Sequence, residues 1–147
     1  MRIAGVFLGV TLLSFLQVCP AWAQVGQPDA EGFISVLPER MRPESSDGIS
    51  TLVVSGDPNE PGIYVIRVRF APGANSPPHT HSQDRYVTVM RGTFWVALGT
   101  DAEVYDPDKM VPMPTGSFVM HPAGAIHYDG ARDEEVIVQI IGTGPLE

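Results

Sequence analysis

Three of the four histidines in this chain lie in two short segments whose spacing suits the binding of a metal ion. His79 and His81 are two residues apart, and in an extended segment such residues point to the same face. His127 follows a Pro-Ala-Gly turn at residues 122–124 and can complete a three-histidine face. Three protein ligands leave coordination positions open for water or substrate, which is typical of a catalytic metal site rather than a structural one.

These histidines belong to two longer motifs. The first, G-x5-H-x-H-x3-R-x6-G, runs from Gly73 to Gly92 and includes Arg85, and the second, G-x5-P-x-G-x2-H, runs from Gly116 to His127. Both resemble the two conserved motifs of the cupin superfamily, and the resemblance covers the central part of the chain. It implies a β-barrel with an inward-facing metal site. The metal ligands that it carries over to this chain are His79, His81 and His127.

Arg85 departs from the cupin pattern, because most metal-binding cupins have a ligating glutamate there; Ala131 departs too, where the second motif often ends in asparagine. A guanidinium is cationic and does not coordinate a metal. One interpretation makes Arg85 a clamp for a carboxylate or enolate substrate beside the metal. A second pairs it with Asp84 or another acid, and a third has it repel the metal and leave a metal-free cavity for a small polar ligand. Metal binding is favoured, because neutral imidazoles are common metal ligands.

Asp84 is not favoured as a replacement ligand. Asp84 follows His79 and His81 by an odd number of residues, so in an extended strand its side chain points to the opposite face, unless a bulge intervenes. No residue stands out as a general base, and the candidates are His121 and Tyr128. His121 is either an additional ligand or acid–base group or a surface histidine, and the surface interpretation is favoured.

Three aromatic residues have two interpretations. They either wall a pocket or belong to the core, and the core is favoured in so small a domain. The residues are Trp95, Phe118 and Tyr128.

The first 23 residues have the pattern of a secretory signal: one positive charge at Arg2, an apolar run and an Ala-x-Ala ending at Ala23. Cleavage is predicted before Gln24, which makes the mature protein periplasmic or secreted. A lipid anchor at Cys19 and a retained membrane anchor are the less favoured alternatives, since the residues around Cys19 suit lipid processing poorly and the apolar run is short for a membrane span. No membrane association is expected after cleavage.

The composition of the mature chain limits the classes of partner that it can bind. Cleavage leaves 17 acidic against 8 basic residues, and therefore a net charge of −9, which argues against nucleic acid or an anionic membrane as partner. The single cysteine is lost with the signal, so stability must come from core packing, a bound metal or oligomerisation. The expected partner is a small-molecule ligand.

Short strands separated by Gly and Pro turns predict an all-β fold, an antiparallel jelly roll or barrel. We expect a flexible leader at residues 24–32 and one domain at 33–147. The predicted strands are 33–37, 49–54, 63–70, 85–90, 93–98, 118–121 and 135–141, with a short helical or irregular excursion at 101–115. Ile66, Val68 and Phe70 should be buried, while Arg67 and Arg69 face solvent.

The strand at 85–90 has a second alternation. Arg85, Val87 and Val89 should face the barrel interior, while Tyr86, Thr88 and Met90 face outward. An outward row that includes Tyr and Met suggests a covered face. The cover is either a second copy in a homodimer or the amino-terminal strand of the same chain.

Together these features indicate an exported metal-binding cupin that binds or transforms a small anionic or oxygenated molecule. The ion is a divalent transition metal, and the residues do not distinguish Fe, Mn, Zn, Ni and Cu. Dioxygenase, isomerase and lyase chemistry on a small acid are all compatible with the site. The alternative is a non-catalytic periplasmic module that binds a small molecule or a metal, with or without an ion in the cavity.

Overall fold

The computed structural model describes residues 24–146, so the predicted signal at 1–23 lies outside the described residues. Regular structure consists of strands and three short 3-10 turns at Pro38–Arg40, Gly99–Ala102 and Pro107–Lys109. Within the described range no helix is long and apolar enough to cross a membrane. The strands are β1 Ile49–Ser55, β2 Gly62–Phe70, β3 Arg85–Arg91, β4 Thr93–Leu98, β5 Val111–Pro114, β6 Phe118–His121, β7 His127–Gly130 and β8 Val136–Gly144.

The strands form two antiparallel sheets that enclose the core. One has five strands in the order β1-β2-β8-β3-β6, and the other has three in the order β5-β4-β7. Phe70 of the first sheet and Phe94 of the second meet with ring centroids 5.7 Å apart. The prediction of an all-β antiparallel fold is confirmed.

Alternate residues of each strand supply the core, as the period of two requires. The buried cluster between the sheets includes Ile66, Val68, Phe70, Val87, Val89, Phe94, Val96, Val136, Val138 and Ile140. Burial of each such side chain stabilises the fold by roughly 1.5–3 kcal/mol. Tyr86 and Met90 lie on the outer face of β3, as predicted.

Three features of the strand prediction differ from the structure, and one of them is β7, which was not predicted. Residues 33–37 form no strand, and Ile34 makes only an isolated bridge to Pro28. Conversely, β5 lies in the segment predicted to be helical or irregular. No strand was predicted there because Pro112 and Pro114 are unfavourable in a strand. β5 is an edge strand of its sheet, where the missing N–H groups of proline are tolerated.

Part of the segment predicted as a flexible leader lies along the edge of β1. The N–H groups of Val25 and Gly26 donate to the carbonyls of Val53 and Val54, each at 2.9 Å. A Cβ at Gly26 would lie 2.6 Å from the Val54 carbonyl oxygen, so only glycine permits this approach. The pairing covers backbone groups that an edge strand otherwise leaves open.

The outward face of β2 is less exposed to solvent than the alternation of apolar and charged residues predicts. Arg67 donates to the Met41 carbonyl at 3.1 Å and Arg69 to the Ser46 carbonyl at 2.7 Å, so the chain before β1 crosses this face. Arg69 is only 6 % exposed, and its guanidinium pairs with Glu135 at 2.6 Å. Glu135 therefore neutralises a buried arginine.

The Glu135→Gln variant is expected to be less stable than the wild type by roughly 3–5 kcal/mol, because it leaves the buried Arg69 without its counter-charge. Urea unfolding followed by circular dichroism measures the difference. Glu134→Gln, the same change at the exposed neighbour, is the control and should have little effect. Equal stability of the two variants would show that the ion pair contributes nothing.

The Glu135 carboxylate also makes the stability of the fold depend on pH. The hydrogen bond from Arg69 holds the pKa of Glu135 below its ordinary value of 4.5. The folded state therefore binds the proton less readily than the unfolded state, and the stabilisation is complete above pH 4.5 and lost as the pH falls through the folded-state pKa. Wild type should lose this contribution on acidification, whereas Glu135→Gln should lack this part of the pH dependence.

An apolar row remains exposed on the outer face of β3, β6 and β8. It comprises Tyr86, Met90, Phe118, Met120 and Ile141, each at least 40 % exposed. Within residues 24–146, the amino-terminal segment lies along β1 and β2 rather than over this row. A homodimer through this face stays a prediction.

Candidate metal centre

The structure brings His79, His81 and His127 together at a cavity of about 250 Å³ between the two sheets. Their ring centroids are 4.8 Å apart for His79 and His81, 4.3 Å for His79 and His127, and 5.1 Å for His81 and His127. One donor atom from each ring lies within 4.8 Å of the others. The three imidazoles are thus grouped closely enough to approach one ion.

Backbone pairing fixes this arrangement. The N–H of His79 donates to the His127 carbonyl at 2.9 Å, and the N–H of His127 returns the bond to the His79 carbonyl at 3.0 Å. The N–H of Gly124 donates to the His81 carbonyl at 2.8 Å, and Gly124 has a φ of +74°, a conformation that favours glycine. The turn predicted from the second motif therefore ties both histidine segments together.

The hydrogen bonds of the His79 and His127 rings leave Nε2 of each ring available to a metal. Nδ1 of His79 lies 2.7 Å from the Pro77 carbonyl, and Nδ1 of His127 lies 3.1 Å from the Ala125 carbonyl. A carbonyl only accepts, so each Nδ1 carries the proton and each Nε2 has a free lone pair. Nε2 of His127 is buried and has no hydrogen-bond partner among residues 24–146. This donor set fits a divalent transition metal.

The surroundings of His81 and His127 keep these two rings neutral. Burial, and then the charge of Arg85, lower the pKa of His81 to about 3. Burial also lowers the pKa of His127. At neutral pH both rings are neutral imidazoles with one nitrogen free of a proton, which is the state that binds metals.

The favoured interpretation of His121 as a surface histidine is wrong. His121 is 3 % exposed, and its ring centroid lies 4.0 Å from that of His127. β6 pairs with β3 so that His121 stands opposite Arg85 on the inward face. Burial, followed by the neighbouring His127, lowers the pKa of His121 to about 3. The sequence around it, Phe-Val-Met-His, has no polar alternation that would have indicated which face it occupies.

Arg85 lines the same cavity, as predicted. Gly142 of β8 is its register partner and is also the partner of Tyr64 in β2. A Cβ at Gly142 would collide with the Tyr64 hydroxyl, so the glycine makes room for the buried tyrosine. Burial lowers the pKa of Arg85, while the neighbouring Tyr64 opposes that change. The guanidinium remains charged at neutral pH.

The proposed ion pair between Arg85 and Asp84 is not formed. The Asp84 carboxylate instead accepts the N–H of Ala123 at 2.8 Å. Asp84 is exposed, and it is not among the residues that line the cavity. Arg85 is therefore not neutralised by its neighbour in sequence.

Asp129 is a cavity residue that the sequence interpretation missed. It is buried on β7, and the Ser76 hydroxyl donates to its Oδ1 at 2.6 Å. Burial raises the pKa of Asp129, while the hydrogen bond from Ser76 opposes that change. Donor atoms of His121, His127 and Asp129 lie within 4.8 Å of one another. Strand parity could have indicated Asp129, because it follows His127 by two residues, but β7 was not predicted.

The structure does not bring Tyr128 into the cavity. Its ring is fully buried in a second apolar cluster with Ala97, Ala102 and Met110. The Tyr128 hydroxyl donates to the Asp106 carbonyl at 2.7 Å and accepts the Asp106 N–H at 3.0 Å. As the neighbour of His127 on a strand, Tyr128 faces the other way. It is not placed to act as an acid or base there.

The other two aromatic candidates also lie elsewhere. The Arg132 guanidinium stacks over the half-buried Trp95 ring, 3.5 Å from its centroid. Phe118 is 58 % exposed on the outer face of β6, so it belongs neither to the core nor to the pocket.

The two motifs, the barrel and the histidine cluster agree with a family match. The model of the ChrR cupin-like domain matches residues 40–147. The chain belongs to this cupin family. The resemblance drawn from the two motifs is thereby confirmed, and the matched range contains all eight strands seen in the described part of this cupin.

Plant proteins are among the relatives of this cupin. A germin-like protein 12-2 of Oryza sativa subsp. japonica is 32 % identical over 73 residues, which are 48 % of this chain and 32 % of that protein. Nectarin-1 of Nicotiana langsdorffii x Nicotiana sanderae is 34 % identical over 77 residues, 52 % of this chain and 32 % of nectarin-1. The match spans only about a third of the length of these curated relatives.

Solved structures share the fold. A sugar phosphate isomerase of the cupin superfamily from Silicibacter pomeroyi DSS-3 is 28 % identical, with a TM-score of 0.54 over 67 % of this chain and 60 % of that one. A cupin 2 conserved barrel domain protein from Leptotrichia buccalis is 21 % identical, with a TM-score of 0.58 over 76 % of this chain and 48 % of that one. The second likeness supports the barrel alone.

Proposed function

We propose that this protein is an exported metal-binding cupin that binds or transforms a small anionic or oxygenated molecule. The observation that carries the proposal is the group of His79, His81 and His127, whose donor atoms lie within 4.8 Å of one another beside a cavity. The unpartnered Nε2 of His127 supports it, because a buried polar atom without a partner is rare in a native fold.

The three histidines would hold a divalent transition metal, one of Fe, Mn, Zn, Ni and Cu. When bound, such an ion supplies a Lewis acid that stabilises negative charge on an oxygen of the ligand. Neutral imidazoles leave the charge of the ion uncompensated, which favours an anionic ligand. The cavity of about 250 Å³ suits a small molecule, and the acidic net charge of the chain opposes nucleic acid or an anionic membrane as partner.

Arg85 would orient the ligand. Its guanidinium reaches the cavity that the histidines line, and it can bind a carboxylate or an enolate through two parallel hydrogen bonds. The remaining wall is largely apolar and includes Ile66, Val68, Phe70, Phe94, Val138 and Ile140. A cavity of this kind suits a ligand with one anionic group and an apolar body.

Export is part of the proposal, and it rests on the signal pattern of residues 1–23. Amino-terminal sequencing of the protein recovered from the periplasm or the medium tests it. A start at Gln24 is expected. A protein that stays in the cytoplasm and begins at Met1 would contradict export.

A metal-dependent dioxygenase, isomerase or lyase is one form of this function, and the likeness to a sugar phosphate isomerase favours turnover. The alternative is a non-catalytic module that captures a small molecule or a metal. The position of Tyr128 favours the alternative, because it removes one of the two predicted acid–base groups from the cavity. His121 remains as the other.

Calorimetric titration tests the function directly. Butyrate and benzoate, with their uncharged amides as controls, are added to the metal-loaded and metal-free protein. We expect the carboxylates to bind the metal-loaded form at least about 10-fold more tightly, a difference of about 1.4 kcal/mol. Carboxylate binding that is equal with and without metal would instead support a metal-free ligand pocket.

A further inference from the structure

Asp129 is an acidic group in the cavity that has no part in the three-histidine site. It is only 8 % exposed, and it lines the same cavity as Arg85 and the histidines. Burying a carboxyl group costs free energy unless hydrogen bonds or an opposite charge compensate it. Its position on the cavity wall therefore calls for a partner.

The protein satisfies only part of the Asp129 carboxyl group. Its Oδ1 accepts the Ser76 hydroxyl at 2.6 Å, and the Asp129 N–H donates to the same Ser76 oxygen at 3.2 Å. Ser76 thereby fixes the orientation of the carboxyl group. Among residues 24–146 no group donates to Oδ2, and Oδ2 is not enclosed as Nε2 of His127 is. One oxygen is thus held by Ser76, and the other is open to the cavity.

The cavity contains a cationic and an acidic side chain that do not pair with each other. Every ion pair in the part of the chain that the structure describes involves Glu135, so Arg85 and Asp129 are not joined. His121 adjoins both: it is the register partner of Arg85, and one of its ring nitrogens lies within 4.8 Å of an Asp129 oxygen. A molecule of a few carbon atoms can therefore reach Arg85 and Asp129 together.

We propose that Asp129 is a specificity-determining residue that binds a hydroxyl group of the ligand, so that the site recognises small hydroxycarboxylates. This inference rests on the proposed function and narrows its ligand class. The carboxylate of the ligand binds Arg85 beside the metal, and the hydroxyl forms a hydrogen bond with Oδ2 of Asp129. The apolar wall of the cavity contacts the carbon chain between these two groups.

A hydroxyl suits this position better than an ammonium group. Arg85 and a bound metal ion both carry positive charge, and a further cation in the same cavity is repelled by both. A hydroxyl is a donor and an acceptor, so it can bind Asp129 whether the carboxyl group is ionised or neutral. An ammonium group only donates and gains most from the ionised form. The ligand therefore has one anionic group and at least one hydroxyl.

Calorimetric titration of the zinc(II)-loaded protein compares butyrate with α-, β- and γ-hydroxybutyrate. We expect at least one hydroxybutyrate to bind at least about 10-fold more tightly than butyrate, because its hydroxyl satisfies the open oxygen of Asp129. Asp129→Ala should lose this preference and bind butyrate as tightly as wild type or more tightly. Asp133→Ala is the control, because it removes an acid at an exposed position that does not line the cavity. It should keep the preference.

A preference for a hydroxybutyrate that persists in Asp129→Ala would overturn the inference, because another group would then bind the hydroxyl. Equal binding of butyrate and all three hydroxybutyrates by wild type would also overturn it and leave the proposed function intact. Tighter binding of γ-aminobutyrate than of γ-hydroxybutyrate would overturn it in favour of an ammonium group. If no carboxylate binds, with or without zinc(II), the proposed function is overturned as well.

A crystal structure of the wild type with the preferred hydroxybutyrate tests the contact without a variant that must fold. The hydroxyl of the ligand is expected within hydrogen-bond distance of an Asp129 oxygen. A hydroxyl that binds the metal or faces solvent instead would overturn the inference.

Discussion

Replacement of His127 by alanine is expected to lower the affinity for a divalent transition metal by more than about 100-fold, because it removes a ligand rather than one of its outer partners. His127 is central to the site: it hydrogen bonds to the backbone of His79 and lies beside the rings of His79, His81 and His121. Chelator competition with zinc(II) or cobalt(II) measures the loss.

Tyr128→Phe is the matched control for this variant. The residue is adjacent on β7 and equally buried, but its hydroxyl bonds to Asp106 and not to the cavity. Loss of those hydrogen bonds should reduce stability by about 1 kcal/mol and leave metal affinity unchanged. Wild-type metal affinity in His127→Ala would contradict the assignment of the site.

Replacement of Arg85 by glutamate is expected to weaken the binding of small carboxylates by about 100-fold or more. It removes a half-buried cation that pairs with the anion and introduces a repelling charge into the same cavity. The same change should retain the metal or bind it more tightly, since a carboxylate is itself a ligand. Calorimetry gives the ligand affinity, and chelator competition gives the metal affinity.

Lys109→Glu changes the net charge by the same amount at an exposed position away from the cavity. It should leave both affinities unchanged and so separates the local role of Arg85 from the overall charge. Tighter metal binding with undiminished carboxylate binding in Arg85→Glu would show that the arginine is not a clamp.

The motifs predicted much of the site because spacing and strand parity are local properties. His79 and His81 face one way because they are two residues apart, and the barrel follows from short strands with regular turns. Arg85 lines the cavity for the same reason, since the burial of Val87 and Val89 defines the inward face of β3.

His121, Asp129 and Tyr128 depend on strand pairing that no local pattern contains. β6 has apolar residues on both faces, because its outer face stays exposed as an apolar row, so parity alone did not assign His121. β7 is only four residues long and fully buried, which hides its alternation. The leader pairs with β1 across a long stretch of sequence, and its partner is known only once the fold is formed.

Elemental analysis of the protein purified without a histidine tag is the most direct test of the metal centre. The site predicts close to one equivalent of a divalent transition metal per chain, either as isolated or after reconstitution. It also predicts loss of that metal in both His79→Ala and His127→Ala. No metal in wild type, even after reconstitution, would contradict the metal centre and leave Arg85 at the centre of a metal-free anion pocket.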